Sequence, residues 1–244
     1  MKERELTLSI ILRSVICNCY FYAAVSFFII FIFTPLSFLK SAAPLRKALS
    51  IYISSVIYIF EKVALIKIEE RGMENITRGK GVIFCSKHMS NLDAHFLYRQ
   101  APNLTALAKA ELLRVPFLGI IFKKMGVIAI NRDAGEAQKQ TSQIAKTLSD
   151  QKIPMIVFAE GTRTEVGQRL PLKSGTFYYQ EEEDIDVIVV AHNSGARWPR
   201  RSWIKWPGTL IIEYFPPIPK GLSKEIFMTE IESRLLDRSE ELML

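Results

Sequence analysis

The chain begins with a long apolar segment. No charged residue lies between Arg13 and Lys40, and the stretch from Val15 to Phe33 is almost wholly apolar. A helix needs about 20 such residues to cross the hydrocarbon core of a bilayer, so this stretch predicts a membrane helix. The alternative is a cleaved signal peptide, but its apolar region is usually shorter, and Ser41-Ala42-Ala43 is a poor cleavage signal.

A second helix is predicted from Leu45 to Ile66. Its apolar residues recur at steps of three and four, which places them on one helical face; they are Leu45, Leu49, Ile53, Val56, Phe60 and Val63. This face either packs on the protein core or lies in the membrane interface beside the first helix, and we favour the interface. Residues 1–66 therefore predict a membrane-anchoring helical hairpin. It either enters one leaflet or crosses the bilayer, and the even distribution of flanking basic residues assigns no orientation.

From residue 67 to residue 244, short apolar runs alternate with amphipathic segments. The predicted strands are Gly81–Ser86, Leu104–Ala108, Val127–Asn131, Pro154–Phe158, Val187–Ala191 and Thr209–Phe215. The predicted helices are Asn91–Gln100, Val115–Met125, Gly135–Gln151 and Ser223–Leu242. Alternation of strands and helices indicates an α/β domain with a central, mostly parallel sheet flanked by helices.

Composition narrows the class of partner. Of the 244 residues, 49% are hydrophobic, and the formal net charge is +7. A basic and apolar protein favours an anionic partner, and the apolar N-terminus favours membrane phospholipid. Because neither zinc-finger spacing nor an aromatic RNA-binding signature is present, we predict no nucleic-acid partner. Three cysteines without framework spacing are typical of a reducing compartment. We predict no metal and interpret His95 and His192 as packing residues.

His88 and Asp93 are the first candidates for chemistry. A strand ending at Ser86 delivers His88 to a turn, and Asp93 follows five residues after it. Within a regular helix this step separates two side chains by roughly 140°, but across a strand-turn-helix junction they can converge. Asp93 would then fix the tautomer of His88 and leave the other ring nitrogen free to accept a proton. Alternatively, Asp93 only caps the helix that begins after Ser90.

Basic residues lie near the predicted carboxyl ends of the strands. In Glu160-Gly161-Thr162-Arg163, Gly161 permits a sharp turn and Arg163 can bind a phosphate through two parallel hydrogen bonds. The alternative is a solvated turn. Three further cations occupy similar positions: Lys109, Arg132 and Lys173. Because ligands of open α/β sheets bind at this edge, the four cations predict an anion-binding site.

All three tryptophans lie in one short basic segment. Trp prefers the headgroup level of a bilayer, and basic groups attract anionic lipid. The segment therefore predicts a second membrane contact, formed by Trp198, Arg200, Arg201, Trp203 and Trp206. The alternatives are tryptophans packed on the domain and, less favoured, tryptophans stacked on nucleic acid.

Taken in order, these motifs resemble the glycerolipid acyltransferase family, in particular its lysophosphatidate (1-acyl-sn-glycerol-3-phosphate) acyltransferase branch. The resemblance covers about residues 66–219. It rests on His88 with Asp93, Gly126 with Arg132, Glu160-Gly161-Thr162-Arg163, and a strand ending in Asn193-Ser194-Gly195; Lys109-Ala110-Glu111-Leu112 and Leu172-Lys173-Ser174-Gly175 resemble two further family segments. The chain departs from the family pattern at Lys87, where Asn is common, at Ala159, where Pro is common, and at Val187-Ile188-Val189-Val190, which lacks the usual Pro.

The resemblance implies a catalytic domain over residues 67–244 that acts as an O-acyltransferase in phospholipid biosynthesis. His88 would be the general base and Asp93 would orient it. The residues implied to bind the acceptor are Lys109, Arg132, Glu160, Gly161, Thr162 and Arg163, with Lys173 as a further candidate. Acyl-CoA or acyl carrier protein would be the co-substrate, lysophosphatidate the acceptor, and no cofactor is implied. We expect the protein at the cytoplasmic membrane, with its active site facing the cytoplasm or the interface.

Several points of mechanism stay open at this stage. No serine or cysteine nucleophile lies in motif spacing beside His88, so direct transfer is favoured over a covalent intermediate. The oxyanion donor is either a backbone N–H group near Gly161 or the side chain of Lys87. Three other functions are alternatives: acylation of another lysolipid, such as lyso-ornithine lipid or a lysophospholipid, a non-catalytic membrane-binding module, and a hydrolase that uses water.

Overall fold

A computed structural model describes residues 5–130 and 137–243 of the chain. The strands of this part are β1 (Ile66–Arg71), β2 (Val82–Ser86), β3 (Thr105–Lys109), β4 (Ile128–Ile130), β5 (Pro154–Phe158), β6 (Asp186–His192) and β7 (Gly208–Tyr214). The helices are α1 (Leu8–Phe27), α2 (Thr34–Ser37), α3 (Ala43–Lys62), α4 (Asp93–Gln100), α5 (Leu118–Met125), α6 (Ala137–Gln151), α7 (Gly175–Glu182), α8 (Ser194–Arg197), α9 (Lys224–Glu232) and α10 (Arg238–Glu241). The π-helical segments Phe28–Phe33 and Ser233–Asp237 join α1 to α2 and α9 to α10.

The strands form one seven-stranded sheet in the order β1-β7-β6-β2-β5-β3-β4. β2 pairs in parallel with β5 and with β6, and β3 pairs in parallel with β5 and β4. β7 is antiparallel to β6, and β1 is parallel to β7. Five strands therefore share one direction, which confirms the predicted mostly parallel sheet. Their carboxyl ends meet at one edge, where the predicted chemistry lies.

Each face of the sheet has its own apolar core. Phe84, Ile156 and Ile188 face the N-terminal helices and α4. Their strand neighbours Ile83 and Met155 face the opposite core, which includes residues of α6, α7 and α9. Because both faces are covered, the central strands are continuously apolar, as is typical of buried parallel strands.

The N-terminal helices pack directly on the sheet. Phe21 of α1 and Phe60 of α3 share one core with Phe84 of β2. The continuous helix Leu8–Ser37 has 30 residues and is long and apolar enough to cross a membrane, and only 11% of its apolar window is buried in the protein. No other helix in the described ranges meets this test of length and composition. These helices are thus a layer of the domain, and their insertion into a membrane stays a prediction.

Besides the four-residue helices α2 and α8, two elements have no counterpart among the predicted ones. The sequence predicts a second helix that extends to Ile66, but α3 ends at Lys62. Ile66 instead begins β1 and is the one buried residue of that strand. Pairing with β7 along its whole length stabilises β1, so a non-local contact defines this strand rather than a local apolar run. The helix α7 carries no one-sided apolar stripe, which is why its sequence, Gly175–Glu182, does not predict it.

Candidate active site

His88 and Asp93 converge at the carboxyl end of β2. The strand ends at Ser86, and α4 begins at Asp93, so the two side chains lie on either side of a tight connection. Nδ1 of His88 lies 2.9 Å from Oδ2 of Asp93. The same Oδ2 accepts hydrogen bonds from the backbone N–H groups of Met89 at 2.7 Å and Ser90 at 2.8 Å. Asp93 therefore orients His88 and also fixes the backbone of the loop that carries it.

The carboxylate of Asp93 is fully buried and ionised. Ser194, the first residue of α8, donates a hydrogen bond from Oγ to Oδ1 of Asp93 at 2.5 Å. Burial alone would raise the pKa of Asp93, but interactions with His192, His88 and Ser194 outweigh it, and the pKa lies below its usual value. Asp93 is thus a carboxylate at neutral pH, and it can stabilise a positive charge on His88.

The tautomer of His88 follows from its second partner. Arg163 donates from Nε to Nε2 of His88 at 3.2 Å. Because a guanidinium group only donates hydrogen bonds, Nε2 carries the lone pair and the ring proton resides on Nδ1, facing Asp93. The imidazole stacks on Phe158, with ring centroids 3.9 Å apart and an angle of 11° between the planes. His88 is therefore an oriented imidazole, with Nδ1 directed towards Asp93 and Nε2 towards Arg163.

The Glu160–Arg163 turn is tied to the His88 loop. Gly161 has φ +68°, a left-handed conformation that a residue with a side chain rarely adopts. A Cβ atom at Gly161 would lie 2.8 Å from Cε of Lys173, so that lysine also lies beside the turn. The backbone N–H of Thr164 donates to the carbonyl oxygen of His88 at 2.7 Å. These contacts place Arg163 and Lys173 next to the base.

The other predicted acceptor-binding residues occupy different positions. Lys109 is the last residue of β3, next to β5 in the sheet, at the same edge as the Gly161 turn. Thr162 is exposed and lines a cavity together with His88. Arg132 lies outside the described residues. Gly126 ends α5 with φ +74°.

Glu160 and Lys87 form a buried ion pair behind this turn. Lys87 Nζ lies 3.6 Å from Oε1 of Glu160, and their side chains are 2% and 0% exposed. Lys87 also donates to the backbone oxygen of Gln168 at 3.1 Å, and Thr164 donates to Oε2 of Glu160 at 3.0 Å. Burial raises the pKa of Glu160, against the opposing effects of Lys87 and Thr164. The two side chains are thus buried against each other, and neither lines a cavity that contains His88. The roles predicted for Glu160 in acceptor binding and for Lys87 as oxyanion donor stay predictions.

Breaking this pair is expected to destabilise the protein. Lys87→Met leaves the carboxylate of Glu160 buried without its cation, which lowers the free energy of unfolding by about 3–5 kcal/mol. Chemical denaturation in neutral detergent measures the change, and adding Glu160→Gln should restore part of the loss. The control is Lys146→Met, which removes a lysine from an exposed pair with Asp150 and should leave unfolding nearly unchanged. Equal stability of Lys87→Met and wild type would contradict the expected dependence.

Two cavities meet at His88. The first has a volume of about 820 Å³, and apolar side chains such as Val15 and Tyr22 line it together with polar ones, among them Asn91, Thr162, Arg163, Arg200 and Arg201. We name it the polar cavity after its three arginines. The second has a volume of about 1430 Å³ and extends between the N-terminal helices and the sheet. Its walls are mainly apolar and include Phe21, Tyr52, Ile121 and Ile156. His88 is therefore accessible from two sides, one lined by three arginines and the other mainly by apolar side chains.

The tryptophan segment divides into a buried part and an exposed part. Trp198 is 2% exposed, and its ring centroid lies 5.1 Å from that of Phe21 and 5.3 Å from that of Phe60. The prediction that Trp198 contacts the membrane is therefore wrong, because this ring packs in the core beneath α1. Trp203 is 50% exposed, whereas Trp206 is half-buried.

Three supporting residues are absent from the predicted site. Phe158 stacks on His88, and Ser194 holds Asp93, as described above. His192 contacts Ser86 Oγ at 3.1 Å and the backbone oxygen of Lys87 at 3.0 Å through Nε2, and burial lowers the pKa of this histidine. Their one sequence signal is position, since each lies at the carboxyl end of a strand. Among the residues that the structure describes, no group of three or more His, Cys, Asp or Glu could hold a metal ion.

The fold and the site define a class of protein: an α/β domain with a hydrogen-bonded histidine–aspartate pair where two cavities meet. The Acyltransferase family model matches residues 67–193, which is more than half of the chain. The chain belongs to this acyltransferase family.

Individual relatives narrow the comparison. The 1-acyl-sn-glycerol-3-phosphate acyltransferase of Pseudomonas aeruginosa is 34% identical over 161 residues, covering 66% of this chain and 62% of that protein. The 1-acyl-sn-glycerol-3-phosphate acyltransferase alpha of Homo sapiens is 29% identical over 164 residues, covering 66% and 58%. The chain thus spans about three fifths of the length of these relatives. The crystal structure of the 1-acyl-sn-glycerophosphate (LPA) acyltransferase PlsC from Thermotoga maritima shares the fold, with a TM-score of 0.72, 21% identity, and coverage of 95% of this chain and 97% of that chain.

Proposed function

We propose that this protein is a 1-acyl-sn-glycerol-3-phosphate acyltransferase. It transfers a fatty acyl group from acyl-CoA or acyl carrier protein to the 2-hydroxyl of lysophosphatidate and so produces phosphatidate. The observation that carries this proposal is the imidazole of His88, which is oriented by Asp93, has Nε2 3.2 Å from the Nε of Arg163, and lines both cavities. The relatives named 1-acyl-sn-glycerol-3-phosphate acyltransferase support the same acceptor.

The reaction needs one proton acceptor and one proton donor, and His88 serves as both. Nε2 removes the proton of the acceptor hydroxyl as its oxygen attacks the thioester carbonyl, and a tetrahedral intermediate forms. When that intermediate collapses, the carbon–sulfur bond breaks, and the imidazolium returns the proton to the leaving thiolate. Asp93 stabilises the imidazolium in between. General-base assistance of this kind typically contributes about 10²–10⁴-fold to the rate.

Arg163 couples the base to the acceptor. In the structure its guanidinium donates to Nε2 of His88, the nitrogen that must accept the proton. A phosphate attracts a guanidinium group more strongly than a neutral imidazole does. Arrival of the acceptor phosphate therefore draws Arg163 away from Nε2 at the moment when the hydroxyl approaches. Lys173, Lys109 and Arg132 are the further cations that we propose for the acceptor site.

The apolar cavity is the proposed site for a fatty acyl chain. Its volume of about 1430 Å³ and its apolar walls between the sheet and the N-terminal helices suit a long hydrocarbon chain. His88 lines the same cavity, so a thioester carbonyl at its entrance would lie within reach of an alcohol bound on the polar side.

We place the protein at the cytoplasmic membrane, with α1 in contact with lipid. Leu8, Leu12 and Ile16 of α1 are 71%, 55% and 54% exposed, and Phe31 beyond it is 63% exposed. Large exposed apolar surfaces of this kind are typical of membrane contacts. The exposed ring of Trp203 and the half-buried Trp206 are proposed to extend the contact at headgroup level.

An acceptor panel tests the proposed function. The purified protein is incubated with one labelled acyl thioester and with lysophosphatidate, lysophosphatidylethanolamine, lyso-ornithine lipid or no acceptor. We expect phosphatidate as the main product, and little free fatty acid without acceptor, because Arg163 occupies the base until a phosphate binds. A preference for another lysolipid would contradict the proposed acceptor. Rapid release of fatty acid without acceptor would indicate a hydrolase, and no turnover of any acceptor would indicate a non-catalytic module.

A further inference from the structure

We propose that Arg200 and Arg201 bind the acceptor phosphate together with Arg163, and that this trio selects acceptors carrying a phosphate monoester. The inference rests on the proposed function and deepens it. It assigns acceptor selection to the segment Trp198–Trp206, which we name the arginine loop, and not to the Glu160–Arg163 turn alone.

All three arginines line the polar cavity beside His88. His88 contributes its ring to the same wall, and the cavity volume of about 820 Å³ leaves room for a glycerol phosphate group. Within the described chain, no Asp or Glu side chain lines this cavity. Three cations without a facing carboxylate create a strongly positive site, which favours an anion with a high charge.

The arginine loop is bonded to the turn that carries Arg163. Nη1 of Arg200 donates to the backbone oxygen of Arg163 at 2.6 Å. This bond holds the guanidinium of Arg200 against the backbone of Arg163, the residue whose own guanidinium contacts His88. A phosphate that draws Arg163 off the base would therefore meet Arg200 on the same side of the cavity.

The backbone of Arg201 is held in an unusual conformation. Its φ of +59° lies in the left-handed region, which a non-glycine residue rarely occupies without a reason. Two hydrogen bonds across the loop accompany this conformation. The backbone N–H of Trp206 donates to the backbone oxygen of Arg197 at 2.7 Å, and Nε1 of Trp198 donates to the backbone oxygen of Ser202 at 2.8 Å. The loop therefore holds Arg201 in the cavity wall with a strained backbone conformation.

The membrane helix α1 fixes the position of the arginine loop. Ser14 accepts a hydrogen bond from the backbone N–H of Lys205 at 2.9 Å, and Asn18 donates to the backbone oxygen of Trp203 at 2.7 Å. The buried Lys205 bonds to Asn18 and lies 3.8 Å from the centroid of the Trp198 ring. The arginines therefore lie where the apolar helix meets the polar cavity, which is where the headgroup of a lipid with a buried chain belongs.

The chemistry of the site favours a phosphate monoester over a diester. A monoester carries close to two negative charges at neutral pH and three terminal oxygen atoms, enough for several guanidinium groups. A diester carries one charge and a substituent that occupies part of the cavity. The arginine trio thus discriminates lysophosphatidate from lysophospholipids with a larger headgroup.

The test is the double variant Arg200→Gln/Arg201→Gln, assayed in mixed micelles of zwitterionic detergent so that surface charge does not alter partitioning. The matched control is Arg71→Gln, which removes a surface arginine paired with Glu69 at the end of β1. We expect the KM for lysophosphatidate to rise about 10- to 100-fold in the double variant, because charge-assisted hydrogen bonds to the phosphate are lost. The KM of the thioester should stay unchanged. Inhibition by sn-glycerol 3-phosphate should weaken in parallel.

The outcomes separate this inference from the proposed function. A wild-type enzyme that does not acylate lysophosphatidate contradicts both. A wild-type enzyme that acylates it, together with a double variant of equal KM, contradicts this inference alone. A rise in the thioester KM instead would assign the arginines to the donor and also overturn the inference. Arg200→Lys/Arg201→Lys keeps both charges and should recover part of the lost affinity, whereas equal loss in both variants would indicate damage to the loop and contradict an electrostatic role.

Discussion

Replacing His88 by glutamine is expected to lower kcat about 10²–10⁴-fold, because the variant loses the group that accepts the acceptor's proton. The imidazole is 19% exposed and stacks on Phe158, so its replacement removes little from the apolar core. Fold and membrane binding should therefore persist. Steady-state assays with a labelled thioester measure the loss, and flotation with anionic liposomes, together with circular dichroism, checks binding and folding.

A second histidine provides the control for this experiment. His95 lines the same apolar cavity, but its Nδ1 lies 3.0 Å from the backbone oxygen of Asn91, and burial lowers its pKa to about 4. His95→Gln is expected to keep kcat within about tenfold of wild type, because His95 touches no reacting group. Comparable activity of His88→Gln and wild type would show that the proton acceptor lies elsewhere.

Asp93→Asn is expected to damage both catalysis and stability. The carboxylate accepts hydrogen bonds from His88, Met89, Ser90 and Ser194, whereas an amide offers one oxygen and places an NH₂ group against a donor. A buried donor without a partner costs about 1–3 kcal/mol in unfolding free energy. The substitution also removes the carboxylate that fixes the tautomer of His88 and stabilises its imidazolium. We therefore expect kcat to fall by about 10²–10⁴-fold. Denaturation and steady-state kinetics measure the two effects separately.

The difference in unfolding free energy between wild type and Asp93→Asn depends on pH in a definite direction. The pKa of Asp93 is lowered in the folded protein, so its carboxylate contributes stability above the ordinary aspartate pKa of about 3.9. That contribution is lost as pH falls through the lowered pKa. The gap in unfolding free energy between wild type and Asp93→Asn should therefore be largest above about pH 4 and shrink below it. A gap that does not vary with pH, or equal loss from the exposed control Asp150→Asn, would contradict this account.

Local patterns predicted much of the fold and the contact between His88 and Asp93. The buried central strands show as short apolar runs, and a long uncharged segment shows as an apolar helix, because both patterns depend on neighbours in the chain. His88 and Asp93 are five positions apart across one strand-to-helix connection, so their contact is also nearly local. Arg163 follows the same logic, since the carboxyl ends of β2 and β5 are adjacent in a parallel sheet.

The environment of the base depends on contacts between distant parts of the chain. Ser194 reaches Asp93 across 101 positions, and Lys205 bonds to Asn18 across 187 positions. Neither contact follows from a local sequence pattern. Each forms only when the sheet brings β2 and β6 together and α1 packs over both. The same packing buries Trp198, although tryptophan is a residue type typical of membrane anchors. It also places Arg200 and Arg201 in the wall of the polar cavity.

Sequence alone therefore establishes which groups are available for the reaction: an imidazole, its carboxylate and a set of cations near strand ends. Folding establishes their partners, their burial and the two cavities that they face. The physical reason is range, since helical and strand periodicities act over a few residues, whereas ion pairing, desolvation and cavity shape depend on every element that surrounds a side chain.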